Sequence, residues 1–252
     1  MTFFDSSTVA QGYAEDRPYL HPEIIHKIQD RLQLTHKVRQ ALDVGCGAGL
    51  STLALKEIAE HIIGVDSSEA MINSAIRDDR IVYFPYPAED LPFTQKFDLI
   101  TLAGAINWID RRRFFAEASK LLHDDGHIVI YDIYILGMME EHAQFASWYT
   151  HDYLTRYPKP PRDETPITPK EADEYGIVQV GSEDYRSTVK FTLEAYIRYM
   201  MTQSNITTTL KTQKETHDQI TAWFASALSP FFQNTEKSLV FGGYVWYFTK
   251  RI

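Results

Sequence analysis

The chemistry in this sequence concentrates in two places. In ALDVGCGAGLSTLAL (41–55) a buried-type run, Ala41, Leu42 and Val44, enters a turn carrying Gly45, Gly47 and Gly49, and Leu50, Leu53, Ala54 and Ile58 then recur at helical spacing. That is strand, glycine turn, helix. A turn this tight needs backbone angles that glycine reaches at low cost, and it brings bare main chain against a ligand. The helix after the turn would aim free N–H groups and its positive end at the same ligand. The second place is Asp66, which ends the apolar run 61–65. It comes after the first glycine at about the 20-residue offset at which a carboxylate meets ribose hydroxyls in βαβ nucleotide sites. Ser67 or Ser68 can cap the helix after it. The turn and Asp66 are expected to hold opposite ends of one nucleotide-like ligand.

Further along, FDLITL (97–102) ends in Ala103-Gly104-Ala105, small residues that leave room at a strand tip, with Asn107, Trp108 and Asp110 just beyond. Asn107 and Trp108, with Tyr134 and Trp148, are candidates to line a pocket for a second, small substrate. Cys46 lies inside the glycine turn with no partnered base nearby in sequence and reads as a small filler. The nine histidines show no metal-ligand spacing, so no metal is expected.

Elements must place these groups. Residues 22–34 read as a helix, with Pro22 suited to its first turn and Ile24, Ile25, Ile28 and Leu32 on one side. Strands are expected at 41–44, 61–65, 81–84, 97–102 and 127–133, with a helix at 111–123. Such alternation implies an α/β fold, a doubly wound, mostly parallel sheet covered on both faces. Residues 138–157 read as an aromatic-rich helix, and the proline- and charge-rich run from Pro158 to Gly176 as an exposed loop. One or two strands fall in 178–191, helices at 192–204 and 215–229 (the latter stopped by Pro230), and a final strand at 239–249.

The 252 residues are 44% hydrophobic, enough for a full core. The net charge is −9 and the densest basic cluster is Arg111-Arg112-Arg113, which reads as a solvated helix start. Nucleic acid is therefore not an expected partner, since phosphate neutralisation needs a basic face. The N-terminal residues lack a basic start leading into an apolar run, no stretch approaches the ~20 apolar residues that span a bilayer, and a cytoplasmic protein without a membrane partner is expected.

Four stretches taken together, ALDVGCGAGLST (41–52), IIGVDSSEAM (62–71), PAEDLPF with FDLITLAGAINWID (87–93, 97–110) and HDDGHIVIYD (123–132), resemble the class I S-adenosylmethionine-dependent methyltransferases. The LPF loop and the A-x-N-W-x-D stretch are similar to the small-molecule, trans-aconitate methyltransferase-like group. The resemblance implies a Rossmann-like sheet of seven strands with an antiparallel C-terminal strand and a mainly helical insertion. It implies one domain: an N-terminal arm and helix (1–35), the cofactor core (36–135), an insertion or lid over the acceptor site (136–180), and the end of the sheet with covering helices (181–252). It implies S-adenosyl-L-methionine as cofactor, in-line transfer to a small-molecule acceptor, and S-adenosyl-L-homocysteine as product. Position by position, Gly45 and Gly47 would face the methionine part, with Asp43 beneath ordering the turn. Asp66 would hold the ribose, Ser67 and Met71 would lie beside the adenine, and Ala88 and Glu89 would flank it. Ala103 would offer main chain near the ammonium, and Tyr13 and Arg17 belong to an N-terminal arm in which Arg17 would pair with the cofactor carboxylate. Where relatives carry an acidic residue before the Ala-Glu pair, this chain has Pro87. Two other readings share the strand, turn and acid: a nicotinamide-dependent oxidoreductase, against which the Gly-x-Gly-x-Gly spacing counts, and a non-catalytic module that binds S-adenosylmethionine.

Overall fold

The computed structural model describes residues 16–163, 165 and 167–251. The strands in chain order are β1 (Val38–Val44), β2 (Ala59–Val65), β3 (Ile81–Phe84), β4 (Phe97–Ala103), β5 (Leu122–Tyr131), β6 (Tyr134–Met139), β7 (Ile177–Phe191) and β8 (Lys237–Lys250). The principal helices are α1 (His21–Arg31), α2 (Leu50–Ala54), α3 (Glu69–Ser74), α4 (Arg111–Leu121), α5 (Pro169–Asp173), α6 (Leu193–Met201), α7 (Ser204–Lys211) and α8 (His217–Phe232). The chain divides into two compact units. Of the described residues, a sheet unit comprises 19–133, those within 162–185, and 243–251; a helical unit comprises 16–18, 134–161 and 186–242. Among the described residues no helix is long and apolar enough to cross a membrane.

In the sheet unit the strand order is β3-β2-β1-β4-β5-β8, parallel as far as β5 and antiparallel at β8, with β7 also paired to β8. These are the seven strands and the antiparallel C-terminal strand expected. Strand β1 lies between β2 and β4, so the winding reverses there, and the carboxyl tips of β1 and β4 flank the place where open α/β sheets bind ligands. Both faces are covered. On one, Ile24, Ile25 and Ile28 of α1 bury against Ala41, Val129, Tyr131 and Val245. On the other, Phe114, Phe115 and Ala118 of α4 bury against Leu42, Ile100, Ile130 and Phe248. The apolar stripe of each helix comes from its 3.6-residue period, and the continuous apolar strands from burial on both faces.

In the helical unit β6 pairs antiparallel with the start of β8, Tyr134 opposite Gly242 and Met139 opposite Leu239. This departs from the expected helix over 138–157. YILGMM alternates, with Ile135, Gly137 and Met139 buried and Tyr134 and Met138 exposed, so period two wins there. Helix begins only at Phe145 and contains a π-helical stretch, Trp148–Tyr153. A second departure is Pro230. It does not stop α8, which runs two residues further; Pro230 sits in the last turn, where one lost N–H bond is tolerated, and Gln233 in the left-handed region (φ 50°) ends the helix. Helix α7 has no counterpart among the elements expected from the sequence.

Candidate cofactor site

The glycine turn is built as the sequence requires. Gly45, Gly47 and Gly49 have φ of 69°, 52° and 86°. A Cβ at Gly45 would lie 2.4 Å from the Ala105 Cβ, so the tips of β1 and β4 touch only because the side chain is absent. At Gly47 the nearest atom to such a Cβ is the Met71 Sδ at 4.0 Å, so this glycine leaves room instead of filling it. Beneath the turn Asp43 is fully buried and its carboxylate accepts from the hydroxyls of Ser51 (2.6 Å), Thr52 (2.7 Å) and Thr101 (2.9 Å). Burial pushes its pKa up, opposed by those three hydroxyls. One carboxylate thus ties β1, the start of α2 and β4 together under the turn. Helix α2 is only five residues long before a 3₁₀ turn at Leu55–Glu57. The helix after the turn is thus short, and the amides of Cys46, Gly47 and Gly49 are bonded within the fold to Val65, Asp66 and Cys46.

The Asp66 carboxylate lies against the same turn. Its Oδ2 accepts from the Gly47 N–H and its Oδ1 from the Ser68 N–H, each at 2.9 Å. This corrects the expectation that the turn and Asp66 stand at opposite ends of a ligand. They are bonded to each other and form one corner. A carboxylate offers about four acceptor positions, more than these two amides use. Ser68, not Ser67, caps α3, accepting from the Met71 N–H at 3.3 Å; Ser67 is exposed. Cys46 is buried, and burial raises its thiol pKa well above the ordinary value, as suits a filler.

The loop after β3 reaches this edge through Glu89. Its Oε1 accepts from the Asp110 N–H at 2.7 Å, and its carbonyl accepts from Arg113 at 3.3 Å. Ala88 beside it is buried. Glu89, expected to flank an adenine, therefore also braces the segment after β4. That segment is held from its other side by Arg111, which overturns the reading of a solvated helix start. Arg111 is 5% exposed and donates to the carbonyls of Ile106 (3.4 Å), Thr165 (2.6 Å) and Asp163 (3.1 Å) and to the Asn107 Oδ1 (3.2 Å). Arg112 and Arg113 are exposed, as expected. Asn107 is thus engaged within the fold, while Trp108 is half-buried at the end of the 3₁₀ turn Ile106–Trp108. Ala103 is half-buried at the β4 tip.

Of the residues placed in the helical unit, Trp148 packs between Phe145, Tyr153, Trp223 and Phe231 and is 7% exposed, a core position. Tyr134 is exposed on β6. Arg17 is half-buried and donates to the Thr202 carbonyl at 3.4 Å. Tyr13 lies outside the described residues. At the β5 tip sequence reasoning offers Tyr131 as a strand-tip candidate for the acceptor pocket and passes over Asp132. The buried Tyr131 hydroxyl bonds His21 Nδ1 at 2.9 Å. Asp132, next in the chain, has its carboxylate 3.2 Å from where a Cβ on Gly104 would stand. Both close the stretch HDDGHIVIYD (123–132), but their contacts depend on α1 and β4 being brought to β5.

The model of a methyltransferase domain family matches residues 42–130, the stretch that runs from the glycine turn to the end of β5. Over these residues the chain is similar to methyltransferase domains. Relatives match along more of the chain. A Dictyostelium discoideum protein named as a methyltransferase is 31% identical over 158 residues, 61% of this chain and 59% of that one. A Saccharomyces cerevisiae protein named as an S-adenosylmethionine-dependent methyltransferase is 26% identical over 170 residues, 62% of this chain and 57% of that one. The matches thus span somewhat under two thirds of either relative. Among solved structures, a methyltransferase from Anaeromyxobacter dehalogenans matches with a TM-score of 0.67 over 92% of this chain and 96% of that one, at 22% identity, a likeness of fold. The cofactor of the class fits the residues present. Gly47 leaves room beside a left-handed backbone, and a carboxylate stands at that opening.

Proposed function

We propose that this chain transfers a methyl group from S-adenosylmethionine to a small-molecule acceptor. The observation that carries the reading is the corner formed by Gly47 and Asp66 at the switch point of the sheet, where a carboxylate is bonded to a left-handed glycine turn and a Cβ on Gly47 would meet nothing nearer than 4.0 Å. Asp66 suits the two ribose hydroxyls, Gly45 and Gly47 suit close approach of the methionine part, and Asp43 holds their turn in shape from below. Ser67, Met71, Ala88 and Glu89 are assigned to the adenine side and Ala103 to the ammonium. When bound, the cofactor supplies a methyl group on a positively charged sulfur. The chain's contribution is then chiefly to exclude water and hold the acceptor in line, and orientation of this kind can be worth roughly 7–11 kcal/mol.

Small acceptors are favoured by the −9 net charge, which gives nucleic acid no basic face. They are favoured too by a relative from Candida albicans named as a ubiquinone biosynthesis O-methyltransferase, 27% identical over 124 residues. Trp108, beside the β4 tip, is the leading contact for the acceptor. Thermal shift and calorimetry with S-adenosylhomocysteine and with NAD test the reading. Stabilisation by S-adenosylhomocysteine is expected, and stabilisation by NAD alone would refute it.

A further inference from the structure

The tip of β5 is held by several bonds at the ligand edge of the sheet. The Asp132 carbonyl accepts from the Tyr185 hydroxyl at 2.7 Å, and its N–H donates to the Tyr244 carbonyl at 3.2 Å. Gly243 packs against it so closely that a Cβ there would stand 1.8 Å from the Asp132 carbonyl oxygen. The side chain is fixed as well: Oδ1 accepts from the Ile133 N–H at 2.8 Å and faces the bare main chain of Gly104, whose φ is 65°. Gly104 in turn donates its N–H to the Tyr131 carbonyl at 2.8 Å, locking the β4 and β5 tips together. Supporting bonds of this density around one half-buried carboxylate are what a site needs to hold a functional group in place.

The position on the edge gives the carboxylate its meaning. The tips run β2, β1, β4, β5. Asp66 leaves the β2 tip and leans onto the turn of β1; Asp132 leaves the β5 tip and leans onto β4. With neighbouring strands about 4.8 Å apart, the β2 and β5 tips stand about 14 Å apart, and each carboxylate leans inward toward the next strand. Asp66 stands on the ribose side, so Asp132 stands on the side left for the reacting groups.

We propose that Asp132 faces the point of methyl transfer and holds an acceptor that carries a proton on its nucleophilic atom, an amine or a hydroxyl and not a carboxylate. The inference rests on the methyl-transfer reading. A carboxylate acceptor would meet a like charge at Asp132, whereas an N–H or O–H group donates to it. The acceptor's lone pair forms the new bond to the methyl carbon while the carbon–sulfur bond breaks, leaving its electron pair on a now neutral sulfur. The proton displaced from the acceptor passes to the Asp132 carboxylate and from there to water.

The test needs no knowledge of the acceptor. Sinefungin carries an ammonium group where S-adenosylmethionine carries its methyl sulfonium, and S-adenosylhomocysteine carries neither. Calorimetric affinities for both ligands are compared in the full-length protein, D132N and Y185F. Asp132→Asn keeps an oxygen for the Ile133 N–H and removes the charge. It is expected to weaken sinefungin by about 10- to 100-fold, the effect of losing a hydrogen bond between charged groups, and S-adenosylhomocysteine by no more than about twofold. Tyr185→Phe loosens the main chain and keeps the charge, so it should give a smaller selective loss. Equal losses for the two ligands in D132N would assign Asp132 a structural role and overturn the proposal, as would unchanged sinefungin affinity. If the unsubstituted protein binds neither ligand, the cofactor reading itself falls and takes the proposal with it.

Discussion

Substituting Asp66 by asparagine separates two jobs that the structure gives one carboxylate. Oδ2 secures the Gly47 N–H and Oδ1 the Ser68 N–H. Asparagine keeps one oxygen acceptor but turns an NH₂ group toward the other amide. In the unliganded protein D66N should therefore cost about one hydrogen bond, roughly 0.5–1.5 kcal/mol, seen as a small fall in urea midpoint. The loss on the ligand is larger. Ribose hydroxyls donate to a charged acceptor, a contact worth about 1.5–3 kcal/mol, so the Kd for S-adenosylhomocysteine should rise about 10- to 150-fold. Calorimetry gives the Kd, and chemical denaturation without ligand gives the stability term, so the two are read independently. An unchanged Kd would remove the ribose assignment. A Kd that rises only in proportion to a large loss of folded protein would reduce Asp66 to a brace for the turn.

Gly47→Ala should fold, with a cost of about 1–2 kcal/mol for a left-handed alanine, because a Cβ there meets nothing closer than 4.0 Å; its thermal shift with S-adenosylhomocysteine should nevertheless vanish. A retained shift would place the ligand elsewhere. Arg111→Gln should lower stability by at least about 1.5–3 kcal/mol in urea titration, and Arg111→Lys should not restore it, since an ammonium cannot reproduce a fork reaching four oxygens. Asp43 gives a pH signature. Burial holds its folded pKa above the value of the unfolded chain, so stability is lost as pH rises through the folded pKa. The stability of D43N relative to the unsubstituted protein should therefore improve from pH 4 to pH 7 in parallel urea titrations, and a difference constant with pH would contradict the buried-carboxylate account.

How much of the molecule is legible in its sequence depends on how local each signal is. The glycine turn, the apolar strands and the Ser-capped helix after Asp66 are written in consecutive residues, and all appear where expected. Strand β6 escapes because Met138 and Met139 fit a helix as well as a strand, and only the alternation across Ile135 and Gly137 decides. Asp132 is hidden for a different reason. It closes the stretch 123–132 with no spacing that gives it a role; its constraints arrive from Gly104, Tyr185, Gly243 and Tyr244, whose approach is a property of the assembled sheet.

Arg111 shows how a charge can mislead a sequence reading. Three arginines in a row at a helix start look like a solvated face, and two of them are. The first helical position after the cap, however, looks back toward the β4 tip, and the backbone there turns through a 3₁₀ segment and leaves carbonyls unused. A buried loop must satisfy its main chain somewhere. A single guanidinium satisfies Ile106, Asp163 and Thr165 at once and takes the Asn107 side chain with them. Glu89 does the complementary service from the other side, accepting the Asp110 N–H. The segment that carries Trp108 is thus held between Arg111, which ties it to Asp163 and Thr165 further along the chain, and Glu89 from the loop after β3. This explains why its geometry could not be read from its own composition. It also means that substitutions at Arg111 or Glu89 should disturb Trp108 before they disturb the glycine turn, whose bonds run through Asp43 and Asp66 instead.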